Sequence, residues 1–288
     1  MNLELLQQAV NGMKRDLEAA ITTATFNGRN CADGHVAKQA LIRSQGLIFP
    51  IHEVVKRSLA EELQRRRRRF EIHPPLGTTG PELKISGFIK AKDQDVVVLF
   101  DGDTAVTEQI QDGPLAGEQD VAGRRQSERG IVIGVRSQMS SVAKNFDTLM
   151  ERAFAETLNL RLRLPGLTMG EVYVLPVVEY DDLAMLNNQV AWKRRAVNVV
   201  KFIKTFLAIT HRAPENPQAD LYKYERSALV LVDFRPVQAR IYLTLDELRR
   251  DNLVPADFRG NFAMLSPDGF AQNLLDMHAA RHPIPNQG

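Results

Sequence analysis

The stretch Ser127 to Ser141, SERGIVIGVRSQMSS, constrains the fold more than any other. Ile131, Val132, Ile133 and Val135 form a short β-branched apolar run, the pattern of a strand covered on both faces. Arg136, Ser137, Gln138, Ser140 and Ser141 follow at once, before the helical pattern KNFDTLMERAFAETLNLRLR begins. Polar groups at the end of a buried strand cost free energy unless they find partners or a ligand. The stretch therefore predicts a buried strand that delivers a polar cluster to one end of a sheet.

The surrounding pattern supplies helices and further strands. Residues 2–25 read as an amphipathic helix with Leu3, Leu6, Val10, Met13, Leu17 and Ala20 on one stripe. Residues 36–64 form a second helical region, and Pro50 predicts a break or a fresh first turn near Phe49–Ile51. Leu83–Ile89 and Asp95–Phe100 read as strands joined by a polar turn. A helix is expected from about Asn145 to Arg163 and another from about Val190 to Ile209. Between them GEVYVLPVVEY reads as a buried strand whose proline points to an edge position or a bulge. RSALVLVDFRP and QARIYLTL read as strands of a hairpin or ribbon, DELRRDNLV as helix, and Phe270–Ala280 as a terminal helix. Strands alternating with helices predict an α/β (α+β) fold, a mixed central β-sheet flanked by helices. Residues 1–288 read as a single domain, with a core of about 35–165, the N-terminal helix 2–25 and a C-terminal strand and helix extension 166–288.

Composition narrows the functional classes. One cysteine, Cys31, excludes an intrachain disulfide framework and a Cys-rich zinc site, and fits a cytoplasmic location. No apolar run reaches the ~18 residues of a membrane span. Net charge is +2, but bases dominate residues 1–70 and 183–214 while acids dominate 101–128. Basic surfaces of this kind accommodate a polyanion. Residues 101–128 read as a long polar loop or flap. GxGxxG, GxxxxGK[ST], HExxH, GxSxG and paired CxxC motifs are all absent, and the six histidines do not cluster.

Individual residues keep two readings. Glu53, near the start of its helix, is either an exposed or capping glutamate or a functional carboxylate favoured by the helix dipole. Asp95, at the mouth of a buried strand, is a turn residue or a metal ligand. The run Arg65, Arg66, Arg67, Arg68 and Arg69 is a solvated helix end or a phosphate-contacting patch. Lys193 and Arg194 lie on a basic helix side that is solvated or nucleic-acid-binding. Ser140 or Ser141 is expected to cap the following helix, and Arg136 could pair with Asp95 or Glu53.

The order of FPIHEVVKRSLAEEL, KAKDQDVVVLF and ERGIVIGVRSQMSS resembles the PD-(D/E)xK nuclease superfamily, over roughly residues 35–165. That resemblance implies a restriction-endonuclease-like core, with an acid on the first helix, an aspartate on the second core strand and an acid-x-lysine on the third. It assigns Glu53 and Asp95 as ligands of Mg²⁺ or Mn²⁺, Arg136 to the lysine position and Gln138 to a shifted form of the motif. Gly134 stands where the strand's second carboxylate is expected; Glu128, Glu151 or Asp93 are candidate suppliers. The implied activity is metal-dependent hydrolysis of DNA phosphodiester bonds in a bacterial defence or restriction system, with double-stranded DNA as partner and a homo-oligomer as the working form. Two alternatives stay open: an inactive nuclease-fold subunit that binds nucleic acid or a partner, and an effector nuclease gated by a second messenger.

Overall fold

The computed structural model describes residues 1–100, 105–216 and 218–283. Six strands build the central sheet: β1 (Phe70–His73), β2 (Val96–Phe100), β3 (Ile131–Ser137), β4 (Thr168–Pro176), β5 (Arg226–Asp233) and β6 (Arg240–Tyr242). They lie side by side in chain order. β2 pairs antiparallel with both β1 and β3, β3, β4 and β5 are parallel, and β6 returns antiparallel to β5.

Nine helices are described: α1 (Leu3–Thr23), α2 (Gly34–Arg43), α3 (Phe49–Arg65), α4 (Gly123–Arg129), α5 (Val142–Arg161), α6 (Asp182–Leu186), α7 (Val199–Ala208), α8 (Leu245–Arg250) and α9 (Phe270–Arg281). Parallel strands need crossovers, and α5 and α7 supply them between β3, β4 and β5. Both pack on one face, where Phe146, Phe202 and Phe206 meet Val132, Met169, Tyr173 and Leu229. α1, α3 and α9 cover the other face, where Leu17, Ile51, Val55 and Leu274 meet Val98, Ile133 and Val135. Among the described residues no helix is long and apolar enough to cross a membrane.

The apolar runs explain the strand positions. Every residue of β2, β4 and β5 is buried, as a sheet covered on both faces requires. Pro50 opens α3 within its first turn. The 170–180 strand departs from the edge expectation: β4 is central, flanked by β3 and β5. Its proline is tolerated because Pro176 is the last residue, beyond the Ser137–Val174 pair that ends the β3 ladder. The helix expected from Val190 starts only at Val199, where the Asn198 side chain accepts from Lys201 N. Upstream, Trp192 instead bridges to Tyr180 and packs on its ring at 4.2 Å.

Several local elements escaped the sequence pattern. β1 follows directly on the arginine run. The strand expected at 83–89 stops at Ser86, and Leu83–Ser86 pairs with Ala91–Gln94 as a separate hairpin. Residues 101–104 of the acidic stretch lie outside the described residues; its remainder contains the pair Glu108–Gln109 with Gln119–Asp120 and helix α4.

Candidate functional site

Side-chain alternation divides β3 between the two faces. Ile131, Ile133 and Val135 enter the core under α1 and α3, whereas Val132 belongs to the α5 side, as do Gly134 and Arg136 by the same period. On β4, Met169 and Tyr173 share that side, and with them Glu171. The parallel register sets Gly134 beside Glu171 and Arg136 beside Tyr173. On the other edge of β3, Val96 pairs with Ile133, so Asp95 lies one step further, at the level of Gly134. There Asp95 Oδ2 accepts the Val135 N–H at 2.7 Å, continuing the ladder with a side chain where β2 begins.

Glu171 is wholly buried, and its carboxylate lies over Gly134, so that a Cβ there would overlap Glu171 Oε2. The glycine leaves the room that the carboxylate fills. Glu171 Oε1 accepts from Arg136 Nη1 at 3.0 Å, while Oε2 has no hydrogen-bond partner among the described residues. Burial pushes this carboxyl up to about 7; Arg136 pulls the other way, and Glu156 and Asp95 add to the rise.

Arg136 is clamped between two acids. Its Nη1 meets Glu171, and its Nη2 meets Glu156 of α5. Burial opposes its charge, but Glu171, Tyr224 and Glu156 outweigh burial and hold the guanidinium above its ordinary value. Glu156 also pairs with Lys92, from the hairpin that leads into β2. Glu82 borders the same corner, its carboxyl raised by burial and then by Asp95 and Asp93. His52 of α3, on the opposite face, feels the Asp95 charge: burial lowers its pKa, Asp95 opposes the fall, and its buried Nε2 has no partner among the described residues.

The expected site residues are distributed unevenly around this corner. Asp95 and Arg136 both belong to it, joined through Val135 and Glu171. Glu53 is held elsewhere, by Lys56 at 2.9 Å, Arg57 at 2.7 Å and the Gly77 N–H at 3.0 Å. These donors bring its carboxyl below the ordinary range against the opposing effect of burial. Gln138 is buried and closes the β3–α5 turn: Nε2 donates to Val142 O at 2.9 Å, and Oε1 accepts from the Tyr173 hydroxyl at 2.8 Å. Ser141 stands at the helix cap without a side-chain bond, and Glu179 Oε1 accepts the Val142 N–H in its place.

None of the acids expected to replace the carboxylate missing at Gly134 pairs with Arg136 among the described residues. Glu128 accepts from Gly166 N at 2.8 Å, and Glu151 and Asp93 are exposed. The acids that meet Arg136, Glu171 and Glu156, were not foreseen. Glu171 had a signal, an isolated acid within the buried run TMGEVYVLP of a central strand. Glu156 and Lys92 had none, because each is an ordinary charged residue until the tertiary fold brings it to Arg136.

The arginine run is only partly available to a ligand. Arg65 and Arg66 pair with Glu62, Arg66 also reaches Asp276, and Arg68 covers the Phe100 ring at 5.1 Å. Arg67 and Arg69 are exposed, as is Arg194. Lys193 pairs with Asp182 at 2.9 Å and Glu179 at 3.6 Å.

The corner's chemistry suits a hard cation. Mg²⁺ takes oxygen ligands, needs only one or two carboxylates and keeps several waters. Asp95 and Glu171 supply such oxygens, and the unpartnered Glu171 Oε2 is the kind of buried acceptor that a cation satisfies. Among the described residues no set of three or more His, Cys, Asp or Glu side chains is gathered at metal-binding spacing. Comparison of the chain with protein-family models, curated proteins and solved structures finds no match.

Proposed function

We propose that the protein is a Mg²⁺- or Mn²⁺-dependent endonuclease acting on double-stranded DNA in a bacterial defence or restriction system, with β1–β3, α3 and α5 as a restriction-endonuclease-like core. One observation carries the reading: the Glu171 carboxylate lies over Gly134 on the Asp95 side of the sheet. A carboxylate from β4 thus stands where the third strand lacks its own. The metal would be held by Asp95 and Glu171, rather than by Asp95 and Glu53, and would supply charge for the scissile phosphate and an activated water. Arg136, always protonated, neutralises charge and cannot act as a base. Lys92 is linked to this set through its ion pair with Glu156. Arg67, Arg69 and Arg194 offer phosphate contacts, and a symmetric homo-oligomer in the cytoplasm would allow both strands to be cut.

The test is cleavage of duplex DNA by purified protein with Mg²⁺ or Mn²⁺. Asp95→Ala and Glu171→Gln should each abolish it, and both should weaken Mn²⁺ binding measured by calorimetry. Cleavage that survives either change overturns the assignment. A second reading, an inactive nuclease-fold subunit that binds nucleic acid, is favoured by the clamp of Arg136 between two carboxylates. Salt-sensitive DNA binding without cleavage in either metal would select it.

A further inference from the structure

At the opposite end of β3 and β4, before Ile131 and Thr168, α4 and the C-terminus of α9 border an open cleft of about 630 Å³. Arg124, Arg125, Arg129 and Arg281 line it, against Glu108 and Glu128. The two acids are already engaged. Glu108 accepts from Arg163 at 2.7 Å and from Arg124 N at 2.9 Å; Glu128 accepts from Gly166 N at 2.8 Å and meets the Arg124 side chain only at 3.6 Å. Arg125 is exposed and has no side-chain partner among the described residues.

Behind the wall lies a denser positive network. Arg161, Arg212 and Arg281 all bond to one carboxylate, that of Glu225, which is itself wholly buried. Asp220 adds a further acidic influence on Arg212. Arg161 shows the strain: burial, with Arg212 and Arg281 adding to it, lowers its pKa to about 10 despite Glu225. The Arg281 side chain is 3% exposed, and its buried Nε has no partner among the described residues. Guanidiniums gathered in a poorly solvated wall raise the positive potential of the cleft beside it.

We propose that this cleft binds a small phosphorylated ligand of nucleotide size, held through its phosphate oxygens by Arg124 and Arg125 in the field of Arg281 and the Glu225 network. The volume falls in the range of ~300–1,000 Å³ common for small-molecule sites. Planar guanidiniums suit paired phosphate oxygens. The site shares no residue with the Asp95–Glu171 corner, so it stands whether or not the nuclease reading does.

Inorganic pyrophosphate is the probe, titrated by calorimetry against the full chain at fixed ionic strength, with sulfate as a control anion. Saturable binding is expected, with a rising melting temperature as the probe fills the site. Charge-assisted hydrogen bonds of this kind make Arg124→Gln and Arg125→Gln each weaken binding by about tenfold or more. Asp95→Ala should leave pyrophosphate affinity unchanged. Equal affinity in the Arg124→Gln/Arg125→Gln double variant would overturn the proposal, as would absence of saturable binding, equal binding of sulfate, or binding confined to duplex oligonucleotides. Both arginines are exposed, so melting without ligand should be unaltered in the variants; a shifted melting curve would be controlled by Arg125→Lys, which should restore most of the affinity.

Discussion

The Glu171 carboxylate fills the volume that Gly134 leaves free on the neighbouring strand, and each residue explains the other. Gly134→Ala places a Cβ against Glu171 Oε2, whose side chain is wholly buried and tied to Arg136. Overpacking of this kind costs about 1–3 kcal/mol. In a Glu171→Ala background the same change should cost much less, because the opposing atom is gone. Denaturant unfolding of the four proteins in the cycle measures the coupling, which should exceed about 0.5 kcal/mol. Additive effects would show that the two side chains do not compete for this space.

Stability should also carry the signature of Glu171. Its carboxyl is pushed up to about 7 from an ordinary 4.5, chiefly by burial. Between those values the folded protein keeps a proton that the unfolded chain has lost. The unfolded state binds fewer protons there, so stability falls as pH rises from about 4.5 to about 7 and this contribution is flat above. The full span is on the order of a few kcal/mol, at about 1.4 kcal/mol per pH unit of difference. Glu171→Gln should remove that slope. An unaltered pH profile of unfolding in the variant would assign the slope to other groups.

Arg136 illustrates why a pair cannot be judged from one partner. Replacing it with Met leaves Glu171 and Glu156 facing each other without their shared cation. Removing one member of a buried ion pair costs about 3–5 kcal/mol. Arg136→Lys keeps the charge but reaches the two acids from a single ammonium, so an intermediate loss is expected. Thermal unfolding of both variants, compared with Arg136→Met/Glu171→Gln, separates charge from packing; the added glutamine should recover part of the loss.

The architecture was more legible in the sequence than the site was. β3 and the helix after it follow from a β-branched run and a 3.6-residue apolar stripe, signals local to the chain. The polar cluster was legible as a cluster but not in its partners. Gln138 looked like a site residue because nothing local shows that Tyr173 and Val142 absorb it. Arg136 looked as though it needed Asp95 or Glu53, yet it meets acids 20 and 35 residues later in the chain. Such pairings depend on which strand lies beside β3 and at what register, information that no window of sequence contains. The proline of β4 misled in a similar way: its position suggested an edge, but the ladder with β3 ends before reaching it.

Gln138 is expected to be structural. Gln138→Ala removes the acceptor of the buried Tyr173 hydroxyl and a donor to Val142 O. An unsatisfied buried hydroxyl costs about 1–3 kcal/mol. Adding Tyr173→Phe should recover part of that loss, while cleavage per folded molecule should stay near that of the parent. A rate that collapses with no change in melting temperature would instead place Gln138 at the chemistry.

The position of the carboxylate, rather than the strand that supplies it, is what the proposed reaction requires. Gly134→Glu alone should unfold or strain the protein, because Glu171 already occupies that space. Glu171→Gly alone should abolish cleavage and leave Arg136 paired with Glu156 only. Combining the two returns one acid to the same side of the sheet, next to Arg136 and opposite Asp95 by register. Metal-dependent cleavage of duplex DNA should therefore reappear in the exchanged double variant, at a rate at least about tenfold above Glu171→Gly, given the ~10–100-fold effects typical of groups around a metal. Calorimetric Mn²⁺ binding supplies a readout independent of turnover. A double variant that folds like the parent yet neither binds Mn²⁺ nor cuts DNA would show that Glu171 does something other than replace the carboxylate missing at Gly134.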